Sequence, residues 1–396
     1  MLEKSRLQKL VNRSLDTLVR PEVRLFGSHC AFKLCGGVGF FVAVTFVTWL
    51  CALERRSILA MTVLFVSSVL TFLALAMATK IVADGERLVL YHSKLAVLSV
   101  AALILWALSL PMFAYLDLLI IGVVTFISFG RIGCLLVGCC HGRLHTWGVA
   151  YRGVHADLGF PRHLVGVRLF PIQAVEAIWG MCIVAVGSYT ILLGNSRGSA
   201  FSSCAIAYAG GRFCFEFLRG DADRPHWAGF SEAQWTSVGI AVLIVAAEIS
   251  GLLPLRVWNL IAGVCVVVLL LTVAIVRATS RLRCFELTHP QHILELARAV
   301  ENISHCEEAE RSDNRDVKVS CTSLGVLISG IDALFYQHGL CHYSVSFQDR
   351  AMDIRSARVL AKLICRLRGF SRPAKVVTGE HAIYHLIFQR SEFRPF

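Results

Sequence analysis

The sequence is short of charge. Only 17% of its 396 residues are Asp, Glu, Lys or Arg, against about a quarter in soluble globular proteins. Charge is missing altogether from Leu34–Leu53, Ser57–Thr79, Leu95–Leu116 and Val257–Val276. About 20 apolar helical residues cross a hydrocarbon core of about 30 Å, so each run is long enough to span a membrane. These runs also lack in-and-out alternation, which argues against a β-barrel and for helices. The first apolar run has no small-residue cleavage pattern, so no cleavable signal peptide is expected. Paired C-x-x-C sets are absent although there are 15 cysteines. That excludes a zinc ribbon or a disulfide framework read from spacing, and leaves most thiols as small apolar side chains.

Four further hydrophobic runs each hold a few charges: Leu118–Gly138 with Arg131, Pro171–Leu193 with Glu176, Ser199–Leu218 with Arg212 and Glu216, and Ala233–Gly251 with Glu248. Eight candidate spans result. The expected fold is an all-α polytopic membrane bundle of seven or eight transmembrane helices, followed by a small soluble α+β domain. Residues 1–33 form a basic leader, 34–280 the membrane domain, and 281–396 the soluble domain. In the leader, Ser5–Arg20 fits either an amphipathic surface helix or a solvated segment. Cys139–Phe170 mixes turn-formers and aromatics (Gly142, Trp147, Gly148, Tyr151, Gly153, Gly159, Pro161) and predicts an ordered cap at the surface. Beyond Arg281, Gln291–Ile303 and Ser356–Leu367 read as helices. Val317–Ile328 and Cys341–Phe347 read as strands, and Lys375–Phe388 as one or two strands. The net charge of +12 suits anionic lipid headgroups or basic anchoring loops. No nucleic-acid partner is expected.

Charges inside spans are costly and are usually paired or functional. Threading the chain back and forth puts even-numbered span ends and odd-numbered span starts on one face. Lys80, His92, Arg131, Glu176, Arg212, Glu216, Arg219 and Gln234 all collect there. The opposite face holds only the turns at Glu54–Arg56, Asp117, Arg197 and Arg256. Arg212, Glu216 and Arg219 fall at i, i+4 and i+7, on one helix face. Arg131, Cys134 and Gly138 share a face by the same arithmetic. Arginine binds phosphate oxygens through paired N–H donors and keeps its charge in a dry site. Inward arginines on neighbouring helices therefore suit a phospholipid headgroup.

At these residues the sequence resembles the prolipoprotein diacylglyceryl transferase family. Gly130-Arg131-Ile132-Gly133, with Gly138 and Gly142-Arg143, resembles the family's glycine-rich signature. Pro171, Gln173 and Glu176 resemble its Pro-Ser-Gln-x-x-Glu helix start. Tyr208, Gly211-Arg212-Phe213, Glu216-Phe217 and Arg219 resemble its Tyr-Gly-x-x-Arg-Phe-x-x-Glu-Phe-x-Arg run, and Ser231 with Gln234 the start of its last helix. His92, after Tyr91, stands at the place of the family's His-Gly. The likeness covers roughly residues 21–255. It departs where Cys134 replaces Asn, where Val137-Gly138-Cys139 replaces Asn-Gly-Glu, where Cys35-Gly36 replaces Tyr-Gly, and where Ser93 follows His92. The eighth span and the C-terminal domain have no counterpart in the family pattern.

The resemblance implies transfer of a diacylglyceryl group from phosphatidylglycerol, or another anionic phospholipid, to a prolipoprotein signal cysteine in a bacterial plasma membrane. It implies a catalytic set of His92, Arg131, Arg212 and Glu216. The substrate-binding set is Arg143, Gln173, Glu176, Tyr208, Arg219 and Cys134. Arg131 and Arg212 would bind the departing phosphate, and His92 would be a base for the thiol or a hydrogen-bonded interfacial histidine. No cofactor and no metal is expected. The run Cys134…Cys139-Cys140-His141 leaves open a metal or redox site or a transient covalent thiol, against plain apolar packing. A divergent paralogue with another acceptor, and a non-catalytic lipid-binding scaffold, are the alternatives. Sidedness is open: the family's reactive cluster faces outward, whereas the basic leader favours a cytoplasmic N-terminus.

Overall fold

The computed structural model describes residues 2–24, 28–82, 90–222, 224–279, 284–305, 319–331, 340–370 and 372–389. Helix α1 (Leu2–Leu18) and the short pair β1 (Glu22–Arg24) and β2 (Ser28–Cys30) lead into the bundle. The bundle comprises α2 (Ala31–Leu53), α3 (Ile58–Val82), α4 (Leu90–Ala107), α5 (Met112–Val137), α7 (Ile172–Leu192), α8 (Ser199–Glu216), α9 (Glu232–Ile249) and α10 (Val257–Thr279). Six of these, α2, α3, α5, α7, α9 and α10, are long and apolar enough to cross a membrane. The apolar stretch described in α4, Ser93–Ala107, is shorter and includes Lys94, and α8 carries Arg212 and Glu216. The chain is a multi-pass membrane protein built as a helical bundle.

Helix α5 is the axis of the bundle. Its buried face runs from Ala114 to Cys134 and packs against α2, α4, α7 and α8. Small residues set the close approaches. A Cβ on Gly180 of α7 would meet Ser128 Oγ at 2.1 Å, and one on Gly39 of α2 would meet Phe129 Cβ at 2.4 Å. Helices in lipid gain nothing by hiding apolar surface from lipid, so backbone proximity and dispersion hold them together. Helix α5 ends at Gly138, at φ 86°, whose N–H bonds the Cys134 carbonyl at 3.0 Å. Any Cβ there would press on Phe160 and Tyr151, so the left-handed turn requires glycine.

The break between the third and fourth spans lies at Leu108–Pro111 and not at Asp117 as the charge pattern suggested. Pro111 has no N–H to continue a helix and disfavours helical geometry in the residue before it. Asp117 consequently sits inside α5, buried. Its two carboxylate oxygens accept the backbone N–H groups of Gly198 and Phe201, each at 2.7 Å. Those are donors that the first turn of α8 leaves without intrahelical partners. Asp117→Ala is expected to lower stability by about 1–2 kcal/mol, the size of a lost cap. Thermal unfolding in detergent should show a reduced midpoint, with Asp117→Asn falling between the two.

Between α5 and α7 the cap folds as β3 (Leu144–Ala150), α6 (Gly153–Ala156) and β4 (Arg168–Leu169), with β3 and β4 antiparallel. Helix α1 lies along β3. Gln8 and Asn12 donate to the Thr146 carbonyl at 2.8 and 3.1 Å. Asn12 and Asp16 accept the N–H groups of Gly148 and Ala150, each at 2.9 Å. These three side chains recur every four residues and satisfy a strand edge that would otherwise be open. The segment Ser5–Arg20 is thus helical as far as Leu18, and the polar stripe of α1 is docked.

After β5 (His226–Trp227) and β6 (Phe230–Ser231), and beyond α10, come α11 (Cys284–Leu287) and α12 (Pro290–His305). The strands β7 (Val319–Cys321), β8 (Val326–Ile331), β9 (Leu340–Phe347), β10 (Lys375–Thr378) and β11 (Tyr384–Gln389), with helix α13 (Ile354–Leu367), complete the chain. The sheet is antiparallel in the order β10-β11-β9-β8-β7. The segment expected as one strand over Val317–Ile328 is a hairpin in its described part, turned at Gly325 with φ 72°. Cys341, Tyr343, Val345 and Phe347 alternate inward on β9. They share one apolar core with α12, α13, the cap residues Tyr151, Phe160 and Leu164, and Val19 from the leader. Arg366 of α13 donates to the Leu144 carbonyl at 2.9 Å. The C-terminal sheet is therefore seated on the cap.

Candidate functional site

The bundle end beneath the cap gathers its charges around one carboxylate. Glu176, in the second turn of α7, is ion-paired through Oε2 with Arg131 Nε of α5 at 2.6 Å and accepts a hydrogen bond through Oε1 from Arg212 Nη1 of α8 at 2.8 Å. Arg219 Nη1 lies 3.7 Å from the same carboxylate. Arg212 Nη2 meets Glu216 at 2.7 Å, one turn further along α8. Arg224 completes the network, bonding Glu216 at 2.5 Å and Asp221 at 2.8 Å, while Arg219 Nη2 bonds Asp221 at 2.6 Å. Arg131, Glu176, Arg212, Glu216 and Arg219 are all buried. Span parity placed these five at one end in sequence, and the fold joins them in one ion-pair network.

Three participants were not singled out in the sequence. Lys94 of α4 donates to Tyr208 Oη of α8 at 2.5 Å, with its ammonium 4.6 Å from the ring centroid. Asp221 and Arg224 come from the loop after α8. With them the cluster counts five cations (Lys94, Arg131, Arg212, Arg219, Arg224) against three carboxylates (Glu176, Glu216, Asp221), an excess of two positive charges. Arg131 Nη1 and Arg219 Nε are buried donors without a hydrogen-bond acceptor among the described residues. A buried donor left unpaired is costly. Glu176 Oε2, Glu216 Oε2 and Asp221 Oδ1 are likewise without a hydrogen bond among the described residues; the excess of positive charge is what suits the cluster to an anion.

Gln173, Arg143 and Cys134 sit around this core. Gln173 donates to the Cys139 carbonyl at 2.9 Å, fixing the turn after α5. Arg143 donates through Nε to the Arg219 carbonyl at 3.2 Å, tying the cap to the loop after α8. Gln234 forms a capping box with Ser231 at the start of α9 and donates to the Phe213 carbonyl at 3.4 Å, anchoring α9 to α8. His92 lies in the first turn of α4, and its side chain is outside the described residues.

Cys134, Cys139 and Cys140 converge, their sulfurs all within 4.8 Å of one another. Thiol donors from Cys134 and Cys139, and after them the Arg219 and Arg131 guanidiniums, hold the Cys140 thiol well below its ordinary range, against the opposing effect of burial.

Two cavities flank the cluster. An apolar chamber of about 310 Å³ runs between α2, α3, α4 and α5, lined by Phe40, Phe65, Phe72 and Phe126 and reaching Lys94 at its charged end. A second cavity, of about 440 Å³, lies under the cap, bordered by Cys139, Cys140, His141, His163, Asp221, Arg224 and Pro290. One is suited to hydrocarbon and the other to polar groups.

Such a fold and site define a class: a multi-pass membrane protein with a buried arginine–carboxylate centre at one end of its bundle. The sequence model of prolipoprotein diacylglyceryl transferase matches residues 34–250, more than half of the chain. The chain belongs to that family. It is 36% identical over 129 residues to a phosphatidylglycerol–prolipoprotein diacylglyceryl transferase 2 of Clostridium perfringens, covering 32% of this chain and 47% of the relative. A phosphatidylglycerol–prolipoprotein diacylglyceryl transferase of Clostridium tetani is 31% identical over 106 residues, covering 27% and 41%. One from Dehalococcoides mccartyi is 28% identical over 134 residues, covering 34% and 49%. The chain spans about half the length of the curated relatives it matches.

Proposed function

We propose that this chain transfers the diacylglyceryl group of phosphatidylglycerol to a thiol acceptor, a prolipoprotein cysteine, at the bacterial inner membrane. The observation that carries this reading is that Arg131 and Arg212 grip opposite oxygens of Glu176 near the end of an apolar chamber. Acyl chains would lie in the chamber. The phosphodiester would take the spare donors of Arg131 and Arg219, with Arg212 alongside. Arginines held by buried carboxylates do not have to reorganise when charge grows on the departing oxygen, and preorganisation of that kind supplies much of catalysis.

In the proposed reaction the acceptor sulfur forms a bond to the glyceryl carbon. The carbon–oxygen bond to phosphate breaks with its electron pair on oxygen, and glycerol phosphate leaves. His92 takes the thiol proton, a role suited to a group that titrates near neutrality. Glu176 and Glu216 position the arginines, and Lys94 with Tyr208 contacts the lipid. Gln173 and Arg143 act by fixing the backbone around the site. The membrane domain over 34–280 carries the chemistry, and the C-terminal domain over 281–396 braces the cap from the same side.

The test is turnover of phosphatidylglycerol labelled in its headgroup, by the full chain reconstituted in vesicles with a signal-cysteine peptide. Labelled glycerol phosphate should be released in step with peptide lipidation, and Arg131→Ala should lower the rate at least about 100-fold. Lipid binding without release under any thiol acceptor would leave a lipid-binding scaffold and overturn the transferase reading. Release that depends on a different thiol would keep the reaction and replace the acceptor.

A further inference from the structure

We infer that Cys134, Cys139 and Cys140 form a site for a thiophilic d¹⁰ metal ion of the Zn²⁺ class. Adjacent cysteines are ordinarily poor metal ligands, because neighbouring side chains diverge. Here the backbone removes that objection. Cys140 adopts φ 54°, left-handed and unusual for a residue with a side chain, two residues after Gly138 at φ 86°. The double reversal folds the chain back over the last turn of α5. The Cys139 and Cys140 sulfurs join that of Cys134, and all three lie within 4.8 Å of one another. Two sulfurs on one zinc stand about 3.8 Å apart in a tetrahedron with bonds of about 2.3 Å. Closure onto an ion thus needs shifts of roughly 1 Å or less. Backbone strain of this kind persists where the surroundings enforce it, and it gathers at functional sites. Gln173, donating to the Cys139 carbonyl, and the tight packing at Gly138 enforce it here.

Electrostatics agree with the geometry. Three thiolates on a divalent ion make a unit with one negative charge. It suits the neighbouring cluster of five cations and three carboxylates, whose Arg131 shares helix α5 with Cys134. Three protein ligands leave one coordination position open, a pattern of zinc sites that take an exogenous ligand. The cavity of about 440 Å³ bordered by Cys139 and Cys140 supplies the space.

The experiment uses the full chain in detergent, reduced, stripped by a chelator and titrated with Zn²⁺ or Cd²⁺. One ion should bind per chain, with thiolate-to-cadmium charge-transfer absorption and an X-ray absorption shell of three sulfurs at about 2.3 Å for zinc. Cys134→Ser and Cys140→Ser should each weaken binding at least about tenfold, whereas Cys182→Ser and Cys265→Ser should leave it unchanged. In the unaltered chain Zn²⁺ should protect Cys134, Cys139 and Cys140 from alkylation together, a readout that does not depend on any variant folding. Equal alkylation with and without metal, or binding indifferent to the three serine variants, would overturn the proposal. So would a disulfide among the three in unreduced chain, which would make the cluster a redox pair instead.

Discussion

Glu176→Ala is expected to abolish transfer and to destabilise the bundle by about 3–5 kcal/mol, the cost of removing one partner from a buried ion pair. The carboxylate is the common partner of Arg131 and Arg212, at 2.6 and 2.8 Å, and Arg219 is 3.7 Å away. Its loss leaves at least two guanidiniums uncompensated where water is scarce. Mutual repulsion would then push α5 and α8 apart at this end. Glu176→Gln discriminates the two effects. It keeps the shape and one acceptor oxygen but loses the charge, so it should restore part of the thermal midpoint while turnover stays at least about 100-fold down. If Glu176→Gln turned over phosphatidylglycerol normally, the carboxylate would be a structural strut only, and the proposed centre would have to move elsewhere in the fold.

The face that holds this centre was legible in sequence because spans alternate in direction. Arg131, Glu176, Arg212 and Glu216 needed only span parity to be placed at one end, and their spacing on α8 needed only the helical repeat. What parity does not carry is distance between helices, so the double engagement of Glu176 was invisible. Lys94 escaped because an apolar run is naturally begun at its first uncharged residue, Leu95, although the helix starts at Leu90. Asp117 misled for the opposite reason. A lone charge between two apolar runs resembles a turn, yet Pro111 is where the helix breaks, and the carboxylate is buried capping a helix 81 residues away. The Cys134, Cys139 and Cys140 convergence was hidden by a left-handed residue that is not glycine, which no composition pattern announces. The elements of the C-terminal sheet were largely legible from alternation. Its seat on the cap was not, because that core is made of residues from three separate parts of the chain.

Arg212→Lys should retain the fold and the positive charge and still lose about 10²–10³-fold in turnover, the usual cost of one lost oxyanion donor. Arg212 is fixed by two carboxylates at once, Nη1 on Glu176 and Nη2 on Glu216. A lysine ammonium is a single point on a flexible stem and cannot span both. It would settle on one carboxylate and leave the other partly unpaired, and the headgroup would lose a donor of defined direction. Binding of phosphatidylglycerol, which the remaining cations still attract, should fall far less than the rate. That split between binding and turnover is the informative quantity. An equal fall in both would mean that Arg212 merely holds lipid, and the departing phosphate would then depend on Arg131 and Arg219 alone. A rate unaffected by lysine would show that any charge suffices there, and the planar fork between Glu176 and Glu216 would have no part in the reaction.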